Sequence, residues 1–430
     1  MCFGYLAVFY VSTLLQLSLK KLFIIGQTFP EPSTTAAGER MMQLIYLFKQ
    51  KDYSIHFATT ATFSKRSEDL KQLDINIECI KLNDDGFDDY IKTLQPNAVL
   101  YDRYISEEQF GWRVSEIFPN AIRILDTEDL HFLRKAREQA VKNKVDVLKT
   151  NLFTETAKRE LASMLRCDLS LIISEFEMNL LKKTFNISED ILFYLPFLLE
   201  KPSEEKINNY PVFENRKDFV TIGNLLHAPN VDAIIYLKNE IWPLIRKKLP
   251  QVKLHIYGAY APPKIQQLHN EKEGFLIKGW AENANEVLKT SKVCLAPLRF
   301  GAGLKGKVVK AFYNGTPTVL TPIAAEGFSN VSIPETNSNS FENDFASEAI
   351  SLYNDQELWD KRQNEGFEIL QHQFSANLYN ENLFNKLNAI NADLTGSRNK
   401  NFYGEILRYQ TNMATKYMSK WITEKNYNKT

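Results

Sequence analysis

From Leu22 to Leu320 short apolar, β-branched runs alternate with longer stretches of helical periodicity. That alternation is the pattern of repeated strand-helix units around a parallel sheet, whose strands are buried on both faces and so read as nearly continuous apolar runs. In the first half the runs fall at 22–26, 54–59, 77–82, 98–102, 121–126, 169–174 and 192–196. A second series falls at 219–223, 252–258, 275–279, 293–298 and 318–321. Between the first two runs Met41, Leu44, Ile45 and Phe48 recur at i, i+3, i+4 and i+7, one face of a helix. Another helix is expected from about Asn230 to Leu249, opening after Pro229 and stopped by Pro250.

The chain has 430 residues, more than one hydrophobic core usually covers. Hydropathy falls between Leu199 and Asp218, where Pro202 and Pro211 stand. The expected organisation is therefore a domain at 20–198, a linker at 199–218, a second domain at 219–390 and an extension at 391–430. Two such α/β domains leave a cleft between the C-terminal ends of their strands, where ligands of parallel sheets bind.

The balance of 52 basic against 52 acidic side chains removes any whole-chain case for a polyanion, so nucleic acid is not an expected partner. Cys2, Cys79, Cys167 and Cys294 lie far apart, without a C-x-x-C pair or a histidine at ligand spacing. This argues against a zinc site or a disulfide framework and fits a reducing cytoplasm. Residues 1–19 are uncharged and mostly apolar, followed by Lys20 and Lys21. They read either as an extension upstream of the fold or as a membrane anchor; without a positive n-region they do not read as a secretory signal.

The segment "LAPLRFGAGLKGKVVKAFYNGTPTVL" holds Gly301, Gly303 and Gly306 as G-x-G-x-x-G and also satisfies G-x-x-x-x-G-K through Lys307. A dinucleotide fingerprint should follow the first strand of its domain, and this one follows the fourth, although Glu326 stands 20 residues after Gly306. A P-loop needs Ser or Thr after the lysine, and Val308 stands there. What remains is the part common to both patterns: a strand, a bare backbone loop and a helix N-terminus with unpaired N–H groups, to which Lys305 and Lys307 bring positive charge. The helix is expected over about Gly306 to Asn314, with Gly315 beyond its end.

The stretch "APLRFGAGLKGKVVKAFYNGTPTVLTPIAAEGF" resembles the donor-binding segment of the GT-B glycosyltransferases of family 4, the group 1 glycosyltransferases. The segments "VTIGNLLHAPNVDAIIYL", "LIKGWAENANEVLKTSKVCLAPL", "IIGQTFPEPSTTAAGERMMQL" and "ILDTEDLHFLRKAR" resemble further parts of that family. The resemblance implies two Rossmann-like domains facing a central cleft, followed by C-terminal helices. It also implies transfer of a sugar from a nucleotide diphosphate sugar to a glycan or lipid-linked acceptor, with retention and without an essential metal or other cofactor. Carried onto this sequence, Gly301, Gly303, Lys305, Gly306, Lys307 and Lys310 would bind the donor, with Gly38 approaching the diphosphate from the first domain. His131 would sit at the transferred sugar and donate a hydrogen bond. Asp126 and Glu128 would orient it, contact the acceptor, or only cap the following helix. The family's E-x7-E glutamates read Ala302 and Lys310 here, so Glu326 becomes the candidate for a nearby carboxylate. The alternatives are a nucleotide-sugar hydrolase or epimerase of the same fold, and a degenerate relative that binds a nucleotide sugar or a partner transferase without catalysis.

After Ile390, "NADLTGSRNKN" interrupts the helical pattern, and a last helix is expected from Tyr403 to Thr423. There Tyr409, Met413, Tyr417 and Trp421 recur every four residues among excess lysines and arginines. Such a basic amphipathic helix either packs on its own protein or lies on a membrane surface, which would make the protein peripheral at the inner face of the membrane.

Overall fold

The computed structural model describes residues 20–335 and 340–427. Residues 1–19, read above as an extension or an anchor, lie outside them, as does the side chain of Met413. Every strand expected from the sequence is present, with small shifts at the ends. The first domain holds β1 (Lys20–Gly26), β2 (Tyr53–Thr59), β3 (Asn76–Cys79), β4 (Ala98–Asp102), β5 (Ile122–Asp126), β6 (Leu169–Ile172) and β7 (Leu192–Tyr194). The second holds β8 (Lys217–Ile222), β9 (Leu254–Tyr257), β10 (Phe275–Gly279), β11 (Ser291–Ala296) and β12 (Thr318–Leu320).

The strand orders are β3-β2-β1-β4-β5-β6-β7 and β10-β9-β8-β11-β12, parallel throughout. Each sheet starts in its middle, runs outward and then crosses back, so β1 beside β4 and β8 beside β11 form switch points. There the loops diverge and leave a crevice. Apolar side chains on both faces of each strand explain the stability of this arrangement: Leu22, Ile24 and Leu100 enter one core layer, and Phe23, Ile25 and Val99 enter the other. Each such side chain contributes ~1.5–3 kcal/mol on burial.

Three features depart from the sequence reading. The expected helix at 230–249 is divided into Ala228–Tyr236 and Trp242–Lys248 by a wide π turn at Leu237–Ile241. Pro243 has no N–H and its ring crowds the carbonyl four residues back, so the turn widens ahead of it. The interruption after Ile390 contains a helix, Leu394–Lys400, because the Asp393 side chain caps it by accepting from Gly396 N–H. Residues 380–390, assigned above to the second domain, pack in the first: Leu383, Phe384, Leu387 and Ile390 join the core of Leu44, Phe48 and Ile55. The chain returns at Leu199, whose N–H donates to Phe374 O at 2.9 Å.

Candidate functional site

Between the two switch points lies a cavity of about 450 Å³, the size of a small-molecule site. Two helices point their N-termini into it, Ala36–Lys49 from the first domain and Gly306–Tyr313 from the second. The helices nearly touch: a Cβ on Gly306 would stand 2.7 Å from Ala36 Cβ. Glycine is thus required at 306 for contact across the cleft, and that contact brings two positive helix ends to one place. Thr35 Oγ1 caps the first helix through Gly38 N–H, while Lys305 begins the second without a side-chain cap. The first-turn N–H groups of Gly306 and Lys307 have no acceptor within the helix.

Lys305, Lys307 and Lys310 line the cavity beside these ends. Lys305 Nζ donates to Gly303 O at 2.8 Å and Lys307 Nζ to Asn230 Oδ1 at 2.8 Å. Burial lowers both lysines to about 8, partly offset for Lys305 by Glu326 and for Lys307 by Cys294. Among the described residues neither lysine has a close carboxylate partner, so a bound anion would stabilise their charged forms. Lys310 differs, because its Nζ lies 2.9 Å from Glu39 on the first-domain helix.

Opposite stands the loop after β5. His131 opens the helix His131–Lys142, with its ring edge-on to Tyr104 at 5.4 Å. Its Nε2 lies 3.3 Å from Asp129 Oδ1, and Asp129 is 2.8 Å from Arg134 Nε. Burial pushes His131 down to about 4, against the pull of Asp129, so the ring is neutral near pH 7. Burial opposes ionisation of Asp129, but Arg134 foremost holds it at about 2. The ionised carboxylate stands beside Nε2, and the neutral ring keeps one N–H donor and one acceptor nitrogen.

The backbone of this loop is held from beneath. Glu160 accepts from His131 N–H at 3.1 Å and Phe132 N–H at 2.9 Å. Glu177, fully buried, accepts from Leu130 N–H at 2.9 Å and from Gly303 N–H at 2.8 Å, tying the two loops together. Burial raises Glu160 to about 8 and Glu177 to about 7. Glu128 lines the cavity with a left-handed backbone (φ 62°), as does Arg103 (φ 68°). Such conformations cost ~1–3 kcal/mol in residues other than glycine and cluster at working sites. Burial, then Asp126, raises Glu128 to about 8.

Four sequence candidates stand away from the cavity. Asp126 is completely buried against Arg40, with Nη2 to Oδ1 at 2.8 Å, and the place expected for it beside His131 belongs to Asp129. Gly38 cannot approach a ligand: its bare Cα faces the Glu31 backbone, 2.5 Å from where a Cβ would lie. Gly303 (φ 62°) packs on Asp129, its N–H taken by Glu177. Glu326 pairs with Arg137 through two 2.6 Å contacts, and Arg137 also donates to Gly301 O at 2.9 Å, so Glu326 braces the loop through Arg137. Gly301, Gly306, Lys305, Lys307, Lys310, Glu128 and His131 do meet at the cavity. Asp129, Arg134, Arg103 and Trp280 also line it and were not anticipated. Asp129 and Arg134 lie within the quoted "ILDTEDLHFLRKAR", where Arg134, three residues after His131, occupies the same helix face.

Residues 216–355 match the family described as glycosyl transferases group 1. Solved structures match nearly end to end. HepE of Anabaena, in complex with UDP and glucose, has a TM-score of 0.64 at 12% identity, covering 86% of this chain and 100% of that one. Sucrose-phosphate synthase of Thermosynechococcus elongatus gives 0.63 at 14%, covering 86% and 99%. A glycosyltransferase of Rickettsia africae gives 0.60 at 11%, covering 87% and 99%. The chain has the GT-B fold, with a segment of its second domain similar to the group 1 glycosyl transferases. No curated protein sequence matches it. In this GT-B chain the cavity lies in the cleft between the two sheets, walled by the glycine loop on one side and the His131 loop on the other.

Proposed function

We propose that the chain transfers a sugar from a nucleotide diphosphate sugar to a glycan or lipid-linked acceptor, with retention of configuration. The convergence of two helix N-termini with Lys305 and Lys307 carries this reading. A diphosphate there would meet backbone N–H groups and two ammonium groups whose positions precede its arrival, so little reorganisation accompanies charge development on the leaving group. Those groups supply the charge stabilisation that a metal would otherwise give, which supports a metal-independent reaction. Glu128 and His131 line the cavity from the first domain and would hold the transferred sugar, His131 as a neutral ring that hydrogen-bonds a hydroxyl. The titles of similar structures support the substrate class: HepE with UDP and glucose, and S. aureus TarM with UDP and alpha-GlcNAc-glycerol. The cysteine usage and a nucleotide-sugar donor support a cytoplasmic setting.

One observation favours a binding protein without catalysis. Lys310, paired with Glu39, stands where the family resemblance calls for a carboxylate. A thermal-shift screen of the full chain against UDP-, GDP-, ADP- and CMP-sugars and NAD, followed by assay of nucleotide release with a supplied acceptor, separates the readings. Stabilisation by one nucleotide diphosphate sugar with acceptor-dependent release supports transfer. Stabilisation without release supports the binding protein, and a shift with NAD alone contradicts both.

A further inference from the structure

The helix Phe402–Tyr427 runs over the outside of the first domain, held along one edge. Arg408 Nη1 donates to Arg166 O at 2.8 Å, Arg113 Nη2 to Ser419 Oγ at 3.3 Å, and Thr423 Oγ1 to Asn83 O at 2.9 Å. Lys416 also pairs with Glu116 at 2.7 Å. Arg408, Ser419 and Thr423 are buried. Among the described residues nothing covers the opposite edge. Phe402 (63% exposed), Tyr403 (77%), Tyr409 (72%), Tyr417 (59%) and Trp421 (62%) all face outward. At 100° per residue these five fall within a sector of about 120°, centred nearly opposite the buried edge, in a stripe about 30 Å long. Five large aromatic groups in one outward row is not the scattered exposure normal for a protein surface.

We propose that this face rests on an anionic bilayer surface. Residue type fits a bilayer: tyrosine and tryptophan, with an apolar body and a polar tip, prefer the headgroup boundary. Charge argues for an anionic one. Residues 391–430 carry seven lysines and arginines against three acids, whereas the rest of the chain carries 45 against 49. Lys420 and Glu424 are exposed within the aromatic sector, and Lys425 lies beside it with Nζ 4.9 Å from the Trp421 ring centroid. No helix among the described residues is long and apolar enough to cross a membrane, so this contact is one of lying on the surface with aromatic rings at headgroup depth. It would hold the first domain, and with it the His131 loop, next to a lipid-linked acceptor.

The test is co-sedimentation of the full chain with phosphatidylcholine vesicles, with and without 30% phosphatidylglycerol. Wild type is expected to bind the anionic vesicles at least tenfold more tightly, less so in high salt. Tyr417→Ser with Trp421→Ser, and separately Lys420→Glu with Lys425→Glu, should each weaken that binding at least tenfold. The melting temperature should stay unchanged, because these side chains are exposed. Equal binding by the variants would place the contact elsewhere in the chain, and absence of vesicle binding would also overturn the proposal. A dimer seen by light scattering and dissolved by the same variants, without vesicle binding, would identify a second copy as the occupant.

Discussion

The glycine loop of the second domain and the His131 loop of the first meet across the cleft but keep their shapes by different means. In the glycine loop, the residue types do much of the work: Gly303 takes φ 62° without strain and Gly306 leaves room for Ala36. In the His131 loop, a glutamate adopts φ 62° and buried carboxyl groups from elsewhere in the chain hold the backbone N–H groups. The first loop is a local device; the second depends on partners distant in sequence. Glu177 joins the two, so neither loop is positioned alone.

The largest expected effect tests whether Asp126 belongs to the frame beneath the His131 loop or to its chemistry. Asp126→Asn leaves the buried Arg40 charge without its partner and should cost about 3–5 kcal/mol of stability in urea unfolding. A variant that kept wild-type stability yet lost turnover would return Asp126 to the catalytic group.

This contrast also explains what could be read from the chain. The strands were legible because buried parallel strands must be continuously apolar, as in "LFIIG" and "AVLYD". The place of Lys305 and Lys307 at the cavity was legible because a glycine loop between a strand and a helix is marked locally in the sequence. Asp129 was missed, and Asp126 favoured, because three acids in four residues look alike until Arg40 is seen to claim the first. Glu160 and Glu177 sit on helices that sequence patterning treats as ordinary, and only tertiary contact gives them N–H groups to hold. The return of residues 380–390 to the first core was illegible for the same reason: an amphipathic face does not name its partner.

A smaller effect concerns the link between the loops. Glu177→Ala would strand the N–H groups of Leu130 and Gly303, costing roughly 1–3 kcal/mol, whereas Glu177→Gln keeps an acceptor. Burial raises Glu177 to about 7 from an unfolded value of 4.5, so its contribution is complete below about 4.5 and declines as pH rises through about 7. Melting temperatures of wild type should therefore fall between pH 5 and 8 more steeply than those of Glu177→Gln. Parallel slopes would show that Glu177 does not titrate there.

The smallest effect lies at the cleft rim. Lys310→Glu would set a second carboxylate against Glu39 in a partly exposed pair, so a change within about 1 kcal/mol is expected. Loss of donor binding far beyond that would make Lys310 a donor contact, while a sharp rise in turnover would strengthen the reading of a degenerate site.

The central claim is that Lys305 and Lys307 receive a diphosphate at the paired helix ends, and calorimetric titration with the nucleotide sugar found in the thermal screen tests it most directly. Lys305→Ala and Lys307→Ala should each weaken binding roughly 10–100-fold, the loss of a charge-assisted contact. Both lysines stand at about 8 without ligand, and a bound diphosphate raises them, so wild-type affinity should hold below pH 8 and fall above it. Unchanged affinity in both variants, with no decline from pH 8 to 9.5, would contradict the account.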